Sequence, residues 1–192
     1  MDRGHEPPDH GPVVALAGRR IDDPDAPPGF PLENARRVAE RIRAFLAVHN
    51  ASALVASAAC GADLLAHEQA RELGLDRAVV LPFPTDAFRQ SSVTDRPGDW
   101  GPRYDAILRD TPATAIRTLD FQPGADEAYA AVNGALLDEA ETIARLAPAG
   151  ALRPVLAVVV WEGQTRGEGD LTADFAARAR ARGIPVSEIL TT

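Results

Sequence analysis

The chain has 192 residues, room for one domain with a sizeable core and short for two. A net charge of −8 and an isoelectric point near 5.0 argue against sequence-independent binding to nucleic acid, which needs a basic surface to displace counterions. Every basic residue is Arg, which excludes P-loop and Schiff-base lysine chemistry, and the lone Cys60 excludes an internal disulfide and a cysteine-cluster metal site.

Residues 1–12, MDRGHEPPDHGP, are polar and rich in Pro and Gly, and are expected to form a flexible arm before a single domain spanning 13–192. The arm has no apolar signal core, and no apolar run approaches the roughly 20 residues of a membrane span. A soluble, cytoplasmic protein with no membrane partner is expected. VVALAG (13–18) is a short apolar run ended by Gly and reads as a buried strand. RRIDDPDAPPGFP then forms an irregular loop. ENARRVAERIRAFLAVH has helical periodicity, with Val38, Ile42, Phe45 and Leu46 on one face. SALVAS (52–57) predicts a second strand, and GADLLAHEQARELG a second helix stopped at Gly74. RAVVLPF predicts a third strand broken by Pro82.

Residues 84–125 are the least regular, with a short helix in DWGPRYDAILRD and a strand in TAIRTL. ADEAYAAVNGALLDEAETIARL predicts a long helix with Tyr129, Val132, Leu136, Leu137 and Ile143 near one stripe. LRPVLAVVVWEG contains the most apolar strand, LTADFAARARARG another helix and IPVSEIL the last strand. Alternating strands and helices predict parallel pairing, and near-continuous apolar strands predict a sheet covered on both faces. The expected fold is α/β: a Rossmann-like, doubly wound, mainly parallel sheet of about six strands.

Such sheets bind ligands beyond the carboxyl ends of their strands, near the point where strand order reverses. Neither GxGxxG nor GxxxxGK[ST] occurs. The phosphate candidate is instead SAACGAD: Ser57, Ala59, Cys60 and Gly61 are small and lead into a helix whose positive end can face an anion. Small residues can equally just pack a tight turn. Arg19 and Arg20, after Gly18, can meet phosphate or carboxylate bidentately, or pair with DDPD just downstream. Asp63 can cap its helix or bind a ligand hydroxyl.

In WEGQTRGEGDLTADF, Gly167, Gly169 and the Thr172 hydroxyl suit a second anion or a ribose, and Thr172 also suits the start of a helix. Trp161 can stack on a base or plug the sheet edge. Glu162 can accept ribose hydroxyls or act as a nucleophile. The four histidines have no zinc-ligand spacing, so no metal site is expected. Cys60 has no assignable base.

SAACGADLLAHEQA, VVLPF, Phe88, Ser92-Val93, Trp100 and Arg103-Tyr104 together resemble a SLOG domain. That Rossmann-like superfamily groups the TRPM sensor domain, DprA and the LOG enzymes, and the likeness is to bacterial SLOG domains beside signalling effectors. It runs from about Val13 to Ile189. The resemblance implies a nucleotide or NAD-derived ligand near Gly18, Arg19, Ser57, Gly61, Asp63, Glu68, Trp161, Glu162, Gly167, Gly169 and Thr172. WEG stands for the commoner WDG, RGEGDLT for a clean Gly-Gly-Thr, and the PGGxGTxxE motif of LOG enzymes is absent.

The expected function is therefore a sensor or binding module needing no cofactor beyond its ligand. It would act with effectors on other chains, and the helix at 126–147 suits a homodimer interface or internal packing equally. The alternative is an enzyme cleaving an N-glycosidic bond through Glu162, Glu168 or Asp63.

Overall fold

The computed structural model describes residues 11–25, 28–125, 127–146 and 153–192; residues 1–10, most of the predicted arm, lie outside them. Six strands form one sheet: β1 (Val13–Gly18), β2 (Ala53–Ala56), β3 (Asp76–Leu81), β4 (Ile116–Thr118), β5 (Val155–Trp161) and β6 (Val186–Leu190). Their order is β4-β3-β2-β1-β5-β6 and every pair is parallel. This is the doubly wound α/β sheet that the sequence predicts. The chain builds outward from β1 to β4, then returns to place β5 on the other side of β1. Strand order therefore reverses between β1 and β5.

Strand pleating divides the core. In β1, Val14 and Leu16 face one layer while Val13 and Ala15 face the other; in β5, Val158 and Val160 oppose Ala157, Val159 and Trp161. Both faces are apolar because helices cover both. On the first lie α1 (Ala35–Val48), α2 (Ala62–Glu72), α3 (Thr85–Ser92) and α4 (Trp100–Arg109), burying Val38, Ile42, Leu46, Leu64, Phe88, Trp100 and Tyr104. On the second lie α5 (Ala128–Arg145) and α6 (Leu171–Ala181), burying Val132, Leu136, Leu137 and Phe175.

The helix α3 is not legible by periodicity. It is eight residues long and buries a single large apolar side chain, Phe88, so no repeat exists to detect. Pro82 follows the last residue of β3, as expected of a residue with no N–H for the ladder. Among the described residues, no helix is long and apolar enough to cross a membrane.

Candidate functional site

The strand ends at the β1–β5 reversal carry the loops that the sequence singles out. After β2 the chain turns through Ser57–Gly61 into α2, and Gly61 sits at φ 106° and ψ −127°, a region that only glycine occupies comfortably. Its position is an antiparallel bridge to Arg20: Ile21 N–H donates to Cys60 O at 3.3 Å, and Ala62 N–H donates to Arg19 O at 3.1 Å. Cys60 N–H donates to Ser92 O at 3.0 Å, and Ala59 N–H donates to Asp63 Oδ2 at 3.3 Å. The amides of Ala59, Cys60 and Ala62 are thus satisfied within the protein. These three amides are not free donors of the kind an anion cradle requires.

Arg19 is likewise occupied. Its Nε donates to Glu162 Oε2 at 2.6 Å, its Nη1 and Nη2 donate to the two Asp170 carboxylate oxygens at 2.6 and 2.8 Å, and Nη2 also reaches Gln164 O at 3.2 Å. Arg19 is only 7% exposed, so this is a buried bidentate pair and not a surface contact. The partner is the last loop, not DDPD.

Asp170 caps α6 by accepting from Thr172 N–H at 3.0 Å and Ala173 N–H at 3.2 Å, and accepts Arg166 N–H at 2.8 Å as well. Burial works against its charge, yet Arg19 and these amides outweigh it and hold the carboxyl well below the usual range. Glu162 is also buried, but its bonds to Arg19 and to Arg166 Nε, the latter at 2.6 Å, keep it below its ordinary value. Both acids are fixed as counter-ions.

Between these loops lies a cleft with two neighbouring chambers. The first has a volume of about 110 Å³ and is walled by Ala17, Phe88, Tyr129, Val132, Leu136 and Leu171, with Gly18, Ser57, Ala59, Asp63, Ser92, Asn133 and Thr172 among its other lining residues. The second, of about 360 Å³, is polar: Arg19, Arg20, Arg96 and Arg166 face Asp22, Asp23, Glu168 and Asp170, with Gly169 on its wall. Gly18, Arg20, Leu171 and Thr172 line both. A Cβ at Gly18 would lie 2.4 Å from Ala62 Cβ, so glycine there lets α2 approach the end of β1.

Asp63 is the one carboxyl of the apolar chamber. Burial pushes its pKa up to about 7, only partly opposed by the Ala59 and Gly18 amides and the Arg20 charge. One turn later His67 is fully buried; its Nε2 lies 2.9 Å from Ser57 O and its Nδ1 has no partner among the described residues. Burial lowers its pKa to about 4.

The two groups oppose each other in stability. Between pH 3.8 and 7 the folded state holds the Asp63 proton more tightly, so that contribution is lost as pH rises through 7. Between pH 6.5 and 4 the unfolded state takes up the His67 proton, so that contribution is lost as pH falls. Asp63→Asn should therefore gain stability relative to the parent as pH rises from 4 to 8, by up to about 4 kcal/mol at the top. It should also unmask a steeper acid limb below pH 6.5. Urea unfolding across pH tests both, and a pH-independent difference would contradict the buried carboxyl.

Several predicted residues lie elsewhere. Glu68 takes a bidentate pair from Arg103 at 2.7 and 2.5 Å, and Arg103 stacks 4.2 Å from the Trp100 ring centroid, so this part of the motif clamps α2 to α4 and lines neither chamber. The Trp161 ring plugs the sheet: its Nε1 donates to Glu188 at 3.0 Å and its ring packs in the α5–α6 layer. Cys60 is buried, with its thiol pushed up by burial, and lines neither chamber. Gly167 faces an outer groove between α5 and α6. Arg20 pairs with Asp95.

Tyr129 and Asn133 were not assigned to the site from sequence. The signal was there: an Asn one turn after a Tyr, inside an otherwise apolar stripe. No cluster of metal-ligating side chains occurs among the described residues.

No protein-family model matches the chain, and no curated protein is found similar to it. Among solved structures, DNA processing protein A (DprA) from Streptococcus pneumoniae is similar over 93% of this chain, at 15% identity and a TM-score of 0.40. The chain spans 58% of the length of that structure. The Moco carrier protein of Chlamydomonas rheinhardtii is similar over 91% of this chain and 99% of its own, at 17% identity and a TM-score of 0.29.

Proposed function

We propose that this Rossmann-like domain, SLOG-like in its motifs, binds a nucleotide or NAD-derived small molecule in the cleft at the β1–β5 reversal. The observation that carries this reading is the pairing of a small apolar chamber with a larger polar one at the strand ends. The first suits a flat base and the second a sugar and its anionic substituents. Phosphate contacts fall to Arg96 and Arg166. Arg96 is anchored to Asp95 at 3.1 Å and Arg166 to Glu162 at 2.6 Å, while their further contacts to Asp23 and Asp22, at 3.5 and 3.7 Å, are long enough to yield to a ligand.

The reading is of binding, in a bacterial signalling or defence role with an effector on another chain. An N-glycosidic enzyme would need a carboxylate free to attack or stabilise the anomeric carbon. Glu162 and Asp170 are held by arginines, Asp63 is the one carboxyl lining the apolar chamber, and Glu168 lines the polar chamber with Asp22 and Asp23, so a product assay decides between the two readings. Calorimetry against ADP-ribose, cyclic ADP-ribose, NAD, nucleoside monophosphates and cyclic nucleotides should give saturable heat with at least one of them. Chromatography of the same mixtures should show no free base. Absence of heat from all of them would sink the proposal, and released base would move it to the enzyme reading.

A further inference from the structure

The polar atoms of the apolar chamber differ in what they have left to offer. Asn133 Nδ2 donates to Leu171 O at 2.8 Å and to Asp174 Oδ2 at 2.9 Å. Both partners are acceptors, so the amide orientation is fixed and Oδ1 is the atom left over. Asn133 is 5% exposed and lines the chamber. Asp63 is 7% exposed; its Oδ2 accepts from Ala59 N–H at a long 3.3 Å and the carboxyl also lies by the Gly18 amide, which leaves part of its acceptor capacity unused. The Ser92 and Tyr129 hydroxyls partner each other at 3.0 Å. The chamber therefore presents two acceptors, a carboxylate and an amide oxygen, between aromatic walls at Phe88 and Tyr129.

A buried acceptor left empty-handed is costly, and a ligand edge that carries N–H donors removes that cost. Adenine presents a donor beside an acceptor, and hypoxanthine a single N–H. Guanine presents two adjacent N–H donors, at N1 and N2, which match the two oxygens of a carboxylate. The apolar walls favour a flat base over a hydroxyl-rich sugar. We infer that the apolar chamber is a base pocket selective for guanine-type bases, with Asp63 as the specificity-determining residue. This rests on the nucleotide reading above and adds the base class to it.

The carboxylate form makes these bonds, so guanine affinity rises with pH. Arg20 from the loop after β1 favours that form. Tyr129 from α5, together with Cys60 and His67 from the α2 turn and helix, are the other titratable groups around the chamber or on its α2 flank. Ionisation near pH 7 makes guanosine binding roughly tenfold tighter at pH 8 than at pH 6.

The test is calorimetry with guanosine, inosine, adenosine and xanthosine. The intact protein should bind guanosine at least tenfold more tightly than inosine or adenosine. Asp63→Asn places an amide N–H where xanthine carries a carbonyl, so at pH 7 the variant should lose guanosine and prefer xanthosine. The pH profile of the unsubstituted protein is independent of whether that variant folds.

Equal affinities for the four nucleosides, or a guanosine affinity flat in pH, overturn the base assignment while leaving nucleotide binding intact. Failure of every nucleoside and nucleotide to bind at millimolar concentration overturns both.

Discussion

Replacing Arg19 by Ala should lower the unfolding free energy by about 3–5 kcal/mol, the range for removing one partner of a buried ion pair. The reason is the state of the acids left behind. Glu162 and Asp170 sit at 9% and 1% side-chain exposure, and both take 2.6 Å bonds from the same guanidinium. Without it, Glu162 just after β5 and Asp170 at the start of α6 lose the cation they share, and the Arg166 guanidinium serves Glu162 alone. Asp170 also caps α6 and ties down Arg166 N–H, so that loss loosens residues 163–170.

Urea denaturation should show the loss at pH 7. Amide exchange should show it concentrated in that loop and the first turn of α6. Lys is not a substitute, because one ammonium cannot meet two Asp170 oxygens and Glu162 in the guanidinium's geometry. A variant within 1 kcal/mol of the parent would mean that the cluster holds nothing in place.

The second large effect is expected at Gly61. Valine there would have to adopt φ 106°, ψ −127°, a conformation that costs a β-branched residue about 1–3 kcal/mol. Its Cβ would also fall 2.7 Å from Arg19 O and 2.8 Å from Ile21 N. Those are backbone atoms in a bridge, and they cannot swing aside as a side-chain tip can. The two penalties together should reach about 4 kcal/mol, with the bridge between the β1 and β2 loops opening. The comparison with Gly74→Ala separates conformation from contact. Gly74 also has a positive φ, but nothing lies within 4 Å of an added Cβ, so its cost should stay near 1 kcal/mol. Equal costs at the two positions would contradict the close approach.

Most of the architecture was legible because it depends on local period. VVALAG, ALVA, AVVL and VLAVVV are apolar on successive residues, which only a sheet covered on both faces accommodates. The long α5 and the amphipathic α1 announce themselves by spacing. Helix α3 did not, since Phe88 alone anchors it.

At the site the pattern is different. Composition picked out loops that meet at one cleft: Gly18, Arg19, Arg20, Ser57, Ala59, Asp63, Gly169 and Thr172 all line it. It could not assign their roles. Arg19 reads as a ligand-binding arginine until two acids from 143 and 151 residues away close on it. The small residues of SAACGAD read as an anion cradle until their amides are seen donating to Ser92 and Arg19 carbonyls.

The sequence by itself determined which segments are strands, that the sheet is parallel and doubly covered, and which loops meet at its carboxyl edge. Those follow from periodicity and from the short reach of βα connections. Only the tertiary structure decided which polar groups in those loops satisfy one another and which keep spare hydrogen-bonding capacity. Hydrogen-bond partnership is settled by distances of a few ångströms between residues far apart in the chain, and no local pattern encodes that. Asp63 and Asn133 became the residues of interest for that reason: their neighbours found partners inside the protein, and they keep unfilled acceptor capacity facing the cavity.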